Sequence, residues 1–346
     1  MKEKGIQDDR SETCPTNEAE DLSLVDALRS PMRYKWTLLD AGHIKLDAGG
    51  MFGLIPRVVW ERDVPIDEMH RITVNHNCLL LEPLGDGPTV VIEAGTGDKL
   101  GPKMSKIFGL GDKTVETALA GVGKSPADID AVIVSHLHFD HAGGLTRCAR
   151  DGEDPDWIAP DGASSGDESR IKLTFPNAEV IVQAREWADA QANNSVMTRT
   201  YYRDHLDPIQ GRVRLIDSPS PFGARPGRDD LPATGVDERA TEVLPGIDVF
   251  RTPGHTWGQQ AVRFQDEAGD PIVFTPDVMP TRWHVGAAYS LAYDVEPYTS
   301  MLTKRWFLTE AQRAGWTLVL DHEPAEPVVR VVADGRGWFS LEPAGR

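Results

Sequence analysis

Residues 131–144 read AVIVSHLHFDHAGG, and this segment is the most informative one about the fold. Its apolar, β-branched beginning predicts a buried strand. His136, His138, Asp140 and His141 follow directly, and a Gly-Gly pair comes after them. Imidazole nitrogens and carboxylate oxygens suit Zn²⁺ at about 2.0–2.2 Å, and crowding four such side chains without a cation is costly. The segment therefore predicts a metal site at the end of a buried strand.

Three further candidate ligands lie just after predicted strands. His255 follows IDVFRTPG, Asp277 follows PIVFTP, and His322 follows WTLVLD. Ligands at successive strand ends converge on one edge of a sheet, where the sites of open α/β proteins lie. HLHFDH itself contains two adjacent sets of candidate ligands. With the three later residues, these sets predict two metals rather than one.

Short β-branched runs alternate with helical patterns along the chain. The predicted strands cover 77–82, 89–95, 131–136, 179–183, 213–216, 247–252, 261–264, 271–275 and 316–321. The predicted helices cover 114–123, 184–194 and 295–315. A Gly/Pro-rich turn makes the first two strands a β-hairpin, and residues 34–53 read as strands and turns. The alternation predicts an α/β (α+β) fold whose sheets are covered by helices.

Two regions differ in composition from this pattern. Residues 1–33 are polar, acidic and nearly free of aromatic residues, which predicts a disordered or loosely attached tail. Residues 34–346 are then expected to form a single folded domain. Within it, 147–170 and 217–241 are rich in Asp, Gly, Pro and Ser, which is typical of surface insertions.

The overall charge narrows the choice of partners. The chain of 346 residues carries a formal net charge of -18, which argues against nucleic acid and against a polybasic membrane contact. Three cysteines occur without a CxxC pair, and no apolar run approaches the roughly 20 residues that cross a bilayer. We therefore expect a cytoplasmic protein that binds neither nucleic acid nor a membrane. The sequence leaves open whether it forms a homodimer.

The motifs as a set resemble one known family. HLHFDH (136–141), TPGHT (252–256), Asp277 after a strand and the late His322 look like the metallo-β-lactamase superfamily. The similarity spans roughly residues 34–340. It implies a four-layer αββα sandwich with the metals at one edge. The motif set is highly specific for the superfamily and much less so for the substrate.

Further segments resemble the lactonase-like branch, which includes quorum-quenching N-acyl-homoserine lactonases and organophosphate hydrolases. These segments are GGMFGLIPRVVWER (49–62), RITVNHNCLLLE (71–82), FPNAEVIVQAREWADA (175–190), TPGHTWGQQ (252–260) and VVADGRGWFSLEP (331–343). The resemblance implies that one metal is held by His136, His138 and His255, the other by Asp140, His141 and His322, and that Asp277 bridges both. It also implies two divalent ions, with zinc expected and iron, manganese or cobalt left open.

The sequence departs from the family pattern in two places. The usual Asp-Thr-Gly before the site reads Glu93-Ala94-Gly95. If that carboxylate orients a ligand histidine, the longer Glu93 must reach it differently. The usual second histidine after TPGH is also absent, since the segment reads TPGHTWGQ.

Hydrolysis of a lactone or ester is the reaction that the resemblance favours, and N-acyl-homoserine lactone is the best single substrate. Asp140, as a ligand with a free carboxylate oxygen, is the candidate that passes a proton to the leaving oxygen. Met51, Phe52 and His284 are the candidate substrate-binding residues. Tyr201, Tyr202 and Tyr289 are further hydroxyl donors among which the sequence does not choose.

Other functions stay open at this stage. The nearest alternative is a phosphotriesterase or arylesterase with the same ligands, and a more distant one is a non-catalytic metal-binding protein. A β-lactamase is disfavoured because no cysteine lies near Asp277. A glyoxalase-type thioesterase would need a basic anchor for glutathione, which the sequence does not reveal. The acidic balance disfavours an RNA-processing nuclease.

Overall fold

The computed structural model describes residues 31–193, 200–222 and 235–345. Residues Met32–Arg346 group into one compact unit. The predicted tail over 1–33 lies almost wholly outside the described residues, and half of the predicted insertion at 217–241 does so as well. Within the described ranges, no helix has the length and apolar character needed to cross a membrane.

Sixteen strands form three sheets in the described part of the chain. The strands are β1 (Tyr34–Asp47), β2 (Arg71–Pro83), β3 (Val90–Ile92), β4 (Ala131–Ile133), β5 (Thr146–Cys148), β6 (Trp157–Ile158), β7 (Arg170–Leu173), β8 (Glu179–Gln183), β9 (Val213–Ile216), β10 (Thr241–Leu244), β11 (Ile247–Arg251), β12 (Gln260–Gln265), β13 (Pro271–Thr275), β14 (Thr317–Leu320), β15 (Val328–Ala333) and β16 (Phe339–Pro343). One sheet has the order β1-β2-β3-β4-β8-β9, the second runs from β10 to β16 in sequence order, and the third is β5-β7-β6.

Helices lie between these strands. They are α1 (Ala48–Phe52), α2 (Arg57–Trp60), α3 (Pro102–Phe108), α4 (Val115–Gly121), α5 (Phe139–Ala142), α6 (Ala184–Ala192), α7 (Arg203–Leu206) and α8 (Pro297–Ala314). Short 3-10 turns cover Pro126–Asp128, Gly143–Leu145, Gln210–Arg212, Val236–Glu238 and Arg282–His284. The longest helix, α8, ends at Gly315, whose positive φ of 65° is the left-handed cap that glycine favours.

The two large sheets pack face to face around a shared apolar core. Ile92, Ile133 and Ile181 of the first sheet meet Val262 and Phe274 of the second. Because side chains alternate between the two faces of a strand, the residues between these core positions point away from the shared core. They must be covered on the outer face of each sheet. Burial of each such side chain contributes about 1.5–3 kcal/mol.

Helices supply that outer cover on both sides. Val132 and Val180 pack with Leu119 of α4 outside the first sheet. Val273 packs with Phe307 of α8 outside the second sheet. The order of layers is therefore helix, sheet, sheet, helix, which confirms the predicted αββα sandwich.

Most predicted elements are present with shifts of one to three residues at their ends. The strands at 179–183, 213–216 and 271–275 match the predicted ranges, and the predicted hairpin is the antiparallel pair β2–β3. The expectation of several strands and turns over 34–53 was wrong. This region is a single 14-residue strand followed by α1. Gly42, with φ of 108°, lies in an irregularity between Asp40 and His43, so the glycine bends the strand instead of ending it.

Candidate metal centre

Gly143 and Gly144 position the histidine-rich loop against the end of the first sheet. A Cβ added at Gly143 would lie 2.1 Å from the carbonyl oxygen of Thr96, and one at Gly144 would lie 2.0 Å from that of Ala94. Only glycine permits this approach of the two backbones. The chain between β4 and α5 is thereby held close to residues 94–96.

The other candidate ligands reach the same place from the second sheet. Strands β13 and β14 pair in parallel, so their carboxyl ends lie at the same edge. Asp277 and His322 each lie two residues beyond one of these ends, and His255 lies four residues beyond β11. The edge therefore brings together side chains that are far apart in sequence.

One group consists of three histidines. Nε2 of His255 lies 3.0 Å from Nδ1 of His138 and 3.0 Å from Oδ2 of Asp277. Nε2 of His136 lies 3.9 Å from the same oxygen of Asp277. The ligand atoms of the three histidines lie within 4.8 Å of one another. Two atoms bound to one cation at about 2 Å each lie no more than about 4 Å apart, so these atoms need only small shifts to share one cation.

A second group lies on the other side of Asp277. Nε2 of His322 is 3.3 Å from Nε2 of His141 and 3.5 Å from Oδ1 of Asp277. Oδ2 of Asp140 lies 3.7 Å from His322, and Oδ1 of Asp140 lies 3.9 Å from His141. The carboxylate of Asp277 therefore faces members of both groups. All seven side chains singled out from the sequence meet at this edge.

The chemistry of these atoms fits divalent cations. Among the described residues, Nε2 of His136 and Oδ1 of Asp277 are buried and have no hydrogen-bond partner. Burying such atoms without a partner is costly. Burial lowers the pKa of His136 and His138 well below the usual value, so both rings are neutral near pH 7 and have a free lone pair. Burial opposes the charged form of Asp277, but His255 and His322 lower its pKa overall.

The non-ligating ring atoms of the histidines have fixed partners. Nδ1 of His255 lies 2.8 Å from Oδ1 of Asp294, and Nδ1 of His322 lies 2.7 Å from the carbonyl oxygen of Asn75. Nδ1 of His136 lies 2.9 Å from Oγ of Ser135. Such contacts select the tautomer and would aim the opposite nitrogen at a bound metal.

Glu93, the departure from the family pattern, also contacts the site. Its Oε1 accepts a 2.7 Å hydrogen bond from the backbone N–H of Ser135, and its Oε2 lies 3.4 Å from Nδ1 of His141. Glu93 has φ of 69°, a left-handed backbone that is unusual for a residue with a Cβ. Burial alone would lower the pKa of His141, but Asp140 and Glu93 outweigh it and raise that pKa. The longer side chain therefore still reaches His141, a candidate ligand.

Asp321 is a further candidate ligand that the sequence reasoning missed, since its carboxylate clusters with the ligand atoms of His141, Asp277 and His322. Its Oδ2 lies 4.0 Å from Nδ1 of His141, and among the described residues neither of its oxygens has a hydrogen-bond partner. Burial, reinforced by the charge of Asp277, raises the pKa of Asp321 well above the usual value. Its place next to His322 in the sequence was the signal that could have identified it. Asp294 offered no such signal, because it lies far from His255 along the chain.

The structure buries all three predicted substrate-binding residues, Met51, Phe52 and His284. Phe52 and His284 are 0% exposed and stack on each other in an apolar cluster. The two ring nitrogens of His284 contact the carbonyl oxygen of Met51 and the hydroxyl of Thr281, each at 2.8 Å. Met51 is itself 1% exposed. These side chains pack the loop, and their contact with a substrate stays a prediction.

Tyr293 is the tyrosine that borders the metal groups and is open to solvent. Its ring lies 6.0 Å from that of His255, and 45% of the residue is exposed. Its hydroxyl donates to the sulfur of Met51 at 2.7 Å. The hydroxyl of Tyr201, in contrast, donates to buried Glu186. Sequence reasoning had not considered Tyr293.

Comparisons with known proteins agree with this geometry. A family model described as metallo-beta-lactamase superfamily matches residues 71–322. An N-acyl homoserine lactonase from a Bacillus species is 27% identical over 181 residues, which are 52% of this chain and 49% of that protein. The N-acyl homoserine lactonase AttM of Rhizobium johnstonii is 25% identical over 217 residues, 62% of this chain and 65% of that protein. The chain thus spans about half the length of the first relative and less than two thirds of the second.

Solved structures share the fold. A probable metal-dependent hydrolase from Staphylococcus aureus has a TM-score of 0.69 at 24% identity and covers 92% of this chain and 100% of its own. AidC, a dizinc quorum-quenching lactonase in complex with a product, has a TM-score of 0.63 at 15% identity, over 91% of this chain and 98% of its own. At these identities the likeness establishes the architecture alone.

Proposed function

Because the chain belongs to the metallo-beta-lactamase superfamily, we propose that it is a metal-dependent hydrolase that opens lactone and ester bonds. The observation that carries this proposal is the convergence of two groups of ligand atoms on the shared carboxylate of Asp277. A carboxylate in this position can bridge two neighbouring cations. The proposal concerns the activity of the whole protein, of which the relatives match only a part.

We assign the ligands as the resemblance implied. His136, His138 and His255 would hold one ion, Asp140, His141 and His322 the other, with Asp277 shared. The nitrogen-rich set suits Zn²⁺, and elemental analysis of purified protein distinguishes zinc from iron, manganese and cobalt.

Two residues beside the ions have defined tasks in this reaction. Divalent ions, when bound, polarise a carbonyl and lower the pKa of water toward 7. Asp140 has two carboxylate oxygens and only a small exposed surface, so it can carry a proton toward the leaving oxygen inside a site that is largely shielded from solvent. The hydroxyl of Tyr293 donates to the sulfur of Met51, a weak acceptor, so the oxygen of a reacting carbonyl bound beside it could replace that contact.

N-acyl-homoserine lactone is the substrate that we propose, and quorum quenching is the role that would follow. Support comes from the names of the relatives, N-acyl homoserine lactonases over about 180–220 aligned residues. The open face beside Tyr293 is where such a ligand would enter. The cytoplasmic location stays a prediction, and so does the oligomeric state.

The test combines metal content and activity on one sample. Purified protein is analysed for metals and assayed with N-acyl-homoserine lactones, aryl esters and phosphotriesters. We expect close to two ions per chain and fastest turnover of lactones. Faster turnover of phosphotriesters or aryl esters would support the nearest alternative. Bound metal with no hydrolysis of any of the three would favour a non-catalytic metal-binding protein.

A further inference from the structure

Glu186 is a fully buried carboxylate in the first turn of α6, and it is not one of the assigned ligands. Its Oε1 accepts hydrogen bonds from the backbone N–H of Leu137 at 3.0 Å and from the hydroxyl of Tyr201 at 3.1 Å. Its Oε2 accepts a 2.6 Å hydrogen bond from the hydroxyl of Thr256. One side chain thus ties three separate segments together.

Each of these donors lies beside a histidine of the same group. Leu137 stands between His136 and His138 in the chain, and Thr256 directly follows His255. The ring of Tyr201 lies 5.3 Å from the ring of His138. Glu186 therefore spans the two loops that carry the three-histidine group.

Packing around Glu186 is also unusually close. A Cβ added at Gly258 would lie 2.3 Å from the backbone nitrogen of Glu186, so only glycine lets the loop after His255 approach α6. Burial raises the pKa of Glu186, while the donors from Thr256, Leu137 and Tyr201 oppose that rise. Burying a carboxylate among neutral groups is costly, so its three hydrogen bonds are better explained by a role in fixing the geometry of the loops.

The second group of ligands is positioned by other contacts. Glu93 lies beside His141, and the carbonyl oxygen of Asn75 accepts from His322. Among the described residues, the hydrogen bonds of Glu186 all go to segments of the three-histidine side. In the described part of the chain, Glu186 thus contacts only the three-histidine side, whereas Glu93 contacts both His141 and the backbone of Ser135, next to His136.

We propose that Glu186 is a positioning residue that sets the spacing of His136, His138 and His255 by holding both of their loops. The proposal rests on the metal centre assigned above. Loss of Glu186 should weaken the three-histidine site selectively and leave the site of Asp140, His141 and His322 largely intact.

The main test is metal binding by Glu186→Ala. In a titration against a competing chelator, we expect one of the two ions to bind about 10–100-fold more weakly and the other to be nearly unchanged. With Co²⁺ in place of the native metal, the spectrum of the remaining ion should match that of His255→Ala and differ from that of His322→Ala. Glu310→Gln is the matched control, because that buried carboxylate accepts from the backbone of Val236 in another part of the fold.

A second pair of variants covers the case in which Glu186→Ala fails to fold. Thr256→Val removes one hydrogen bond to Glu186, whereas Thr256→Ser keeps the hydroxyl. We expect the valine variant to bind the same ion about 2–10-fold more weakly and the serine variant to behave as the unsubstituted protein.

Two results would overturn the proposal. One is unchanged affinity for both ions in Glu186→Ala or Thr256→Val, and the other is parallel weakening of both ions. The proposed function fails in a different way, namely if the unsubstituted protein binds no metal. The two failures are therefore distinguishable on the same titration.

Discussion

Oδ1 of Asp294 lies 2.8 Å from Nδ1 of His255, on the side of the ring opposite to His138 and Asp277. This contact places the ring hydrogen on Nδ1 and leaves the Nε2 lone pair for a cation. Asp294 precedes α8, so the orientation of a ligand on one loop depends on the start of a distant helix. Residues that contact the candidate ligands from outside the site are therefore expected to affect metal affinity.

Replacing Asp294 by alanine should weaken metal binding. The ring of His255 would lose its orienting acceptor, and we expect about 10–100-fold lower affinity in a chelator competition titration. Asp294→Asn is the control, because its amide oxygen can still accept from Nδ1. Equal affinity of the alanine variant and the unsubstituted protein would show that packing alone orients the ring.

Asp140→Asn should separate catalysis from metal binding. The amide keeps a ligand oxygen but cannot carry a proton, so turnover should fall about 100-fold or more while metal content changes little. Steady-state kinetics and elemental analysis on the same sample measure both quantities. If turnover and metal content fall by the same factor, Asp140 acts as a ligand only.

Tyr293→Phe should reduce turnover without loss of metal. The substitution removes the hydroxyl that borders the site and leaves the ring against His255. Loss of one donor to a developing oxyanion costs on the order of 100-fold in turnover. Tyr201→Phe is a useful comparison, since that hydroxyl points to Glu186 instead. Unchanged turnover in Tyr293→Phe would show that the hydroxyl takes no part in the reaction.

Asp321→Asn should have opposite effects on the metal-free and metal-loaded protein. Without metal, burial and the charge of Asp277 both oppose the charged form of the Asp321 carboxylate, so the neutral amide should raise the free energy of unfolding. With metal present, the lost negative charge should weaken binding. Urea unfolding with and without a chelator tests both signs, and a less stable metal-free variant would contradict the first.

His284 should make the stability of the metal-free protein depend on pH. Burial, with Lys304 nearby, lowers the pKa of His284 to about 3, whereas an unfolded histidine titrates near 6.5. Between these values only the unfolded chain binds the proton, so stability falls as the pH drops through this window. His284→Gln should reduce the slope of unfolding free energy against pH by up to about 1.4 kcal/mol per pH unit. Equal slopes between pH 4.5 and 6 would refute the assignment.

Local features of the sequence were sufficient to predict most of the long helices and strands and the candidate ligands. The strand and its histidine-rich continuation at 131–141 follow from side-chain type and spacing over a few residues. The strand ends before His255, Asp277 and His322 could be identified in the same way, because apolar runs and turn residues are local signals. Their meeting at one edge followed from the rule that parallel strands end on the same side of a sheet.

The tertiary structure decided which side chains surround those ligands. Asp294, Glu186 and Glu93 contact the site across separations of about 40 to 70 residues, and such contacts depend on packing rather than on any local pattern. The burial of Phe52 and His284 could not be predicted from the sequence either, because it depends on their neighbours in the core and not on their residue types. A short sequence motif can specify the atoms that bind a cation. Their orientation depends on long-range contacts that exist only once both sheets are packed together.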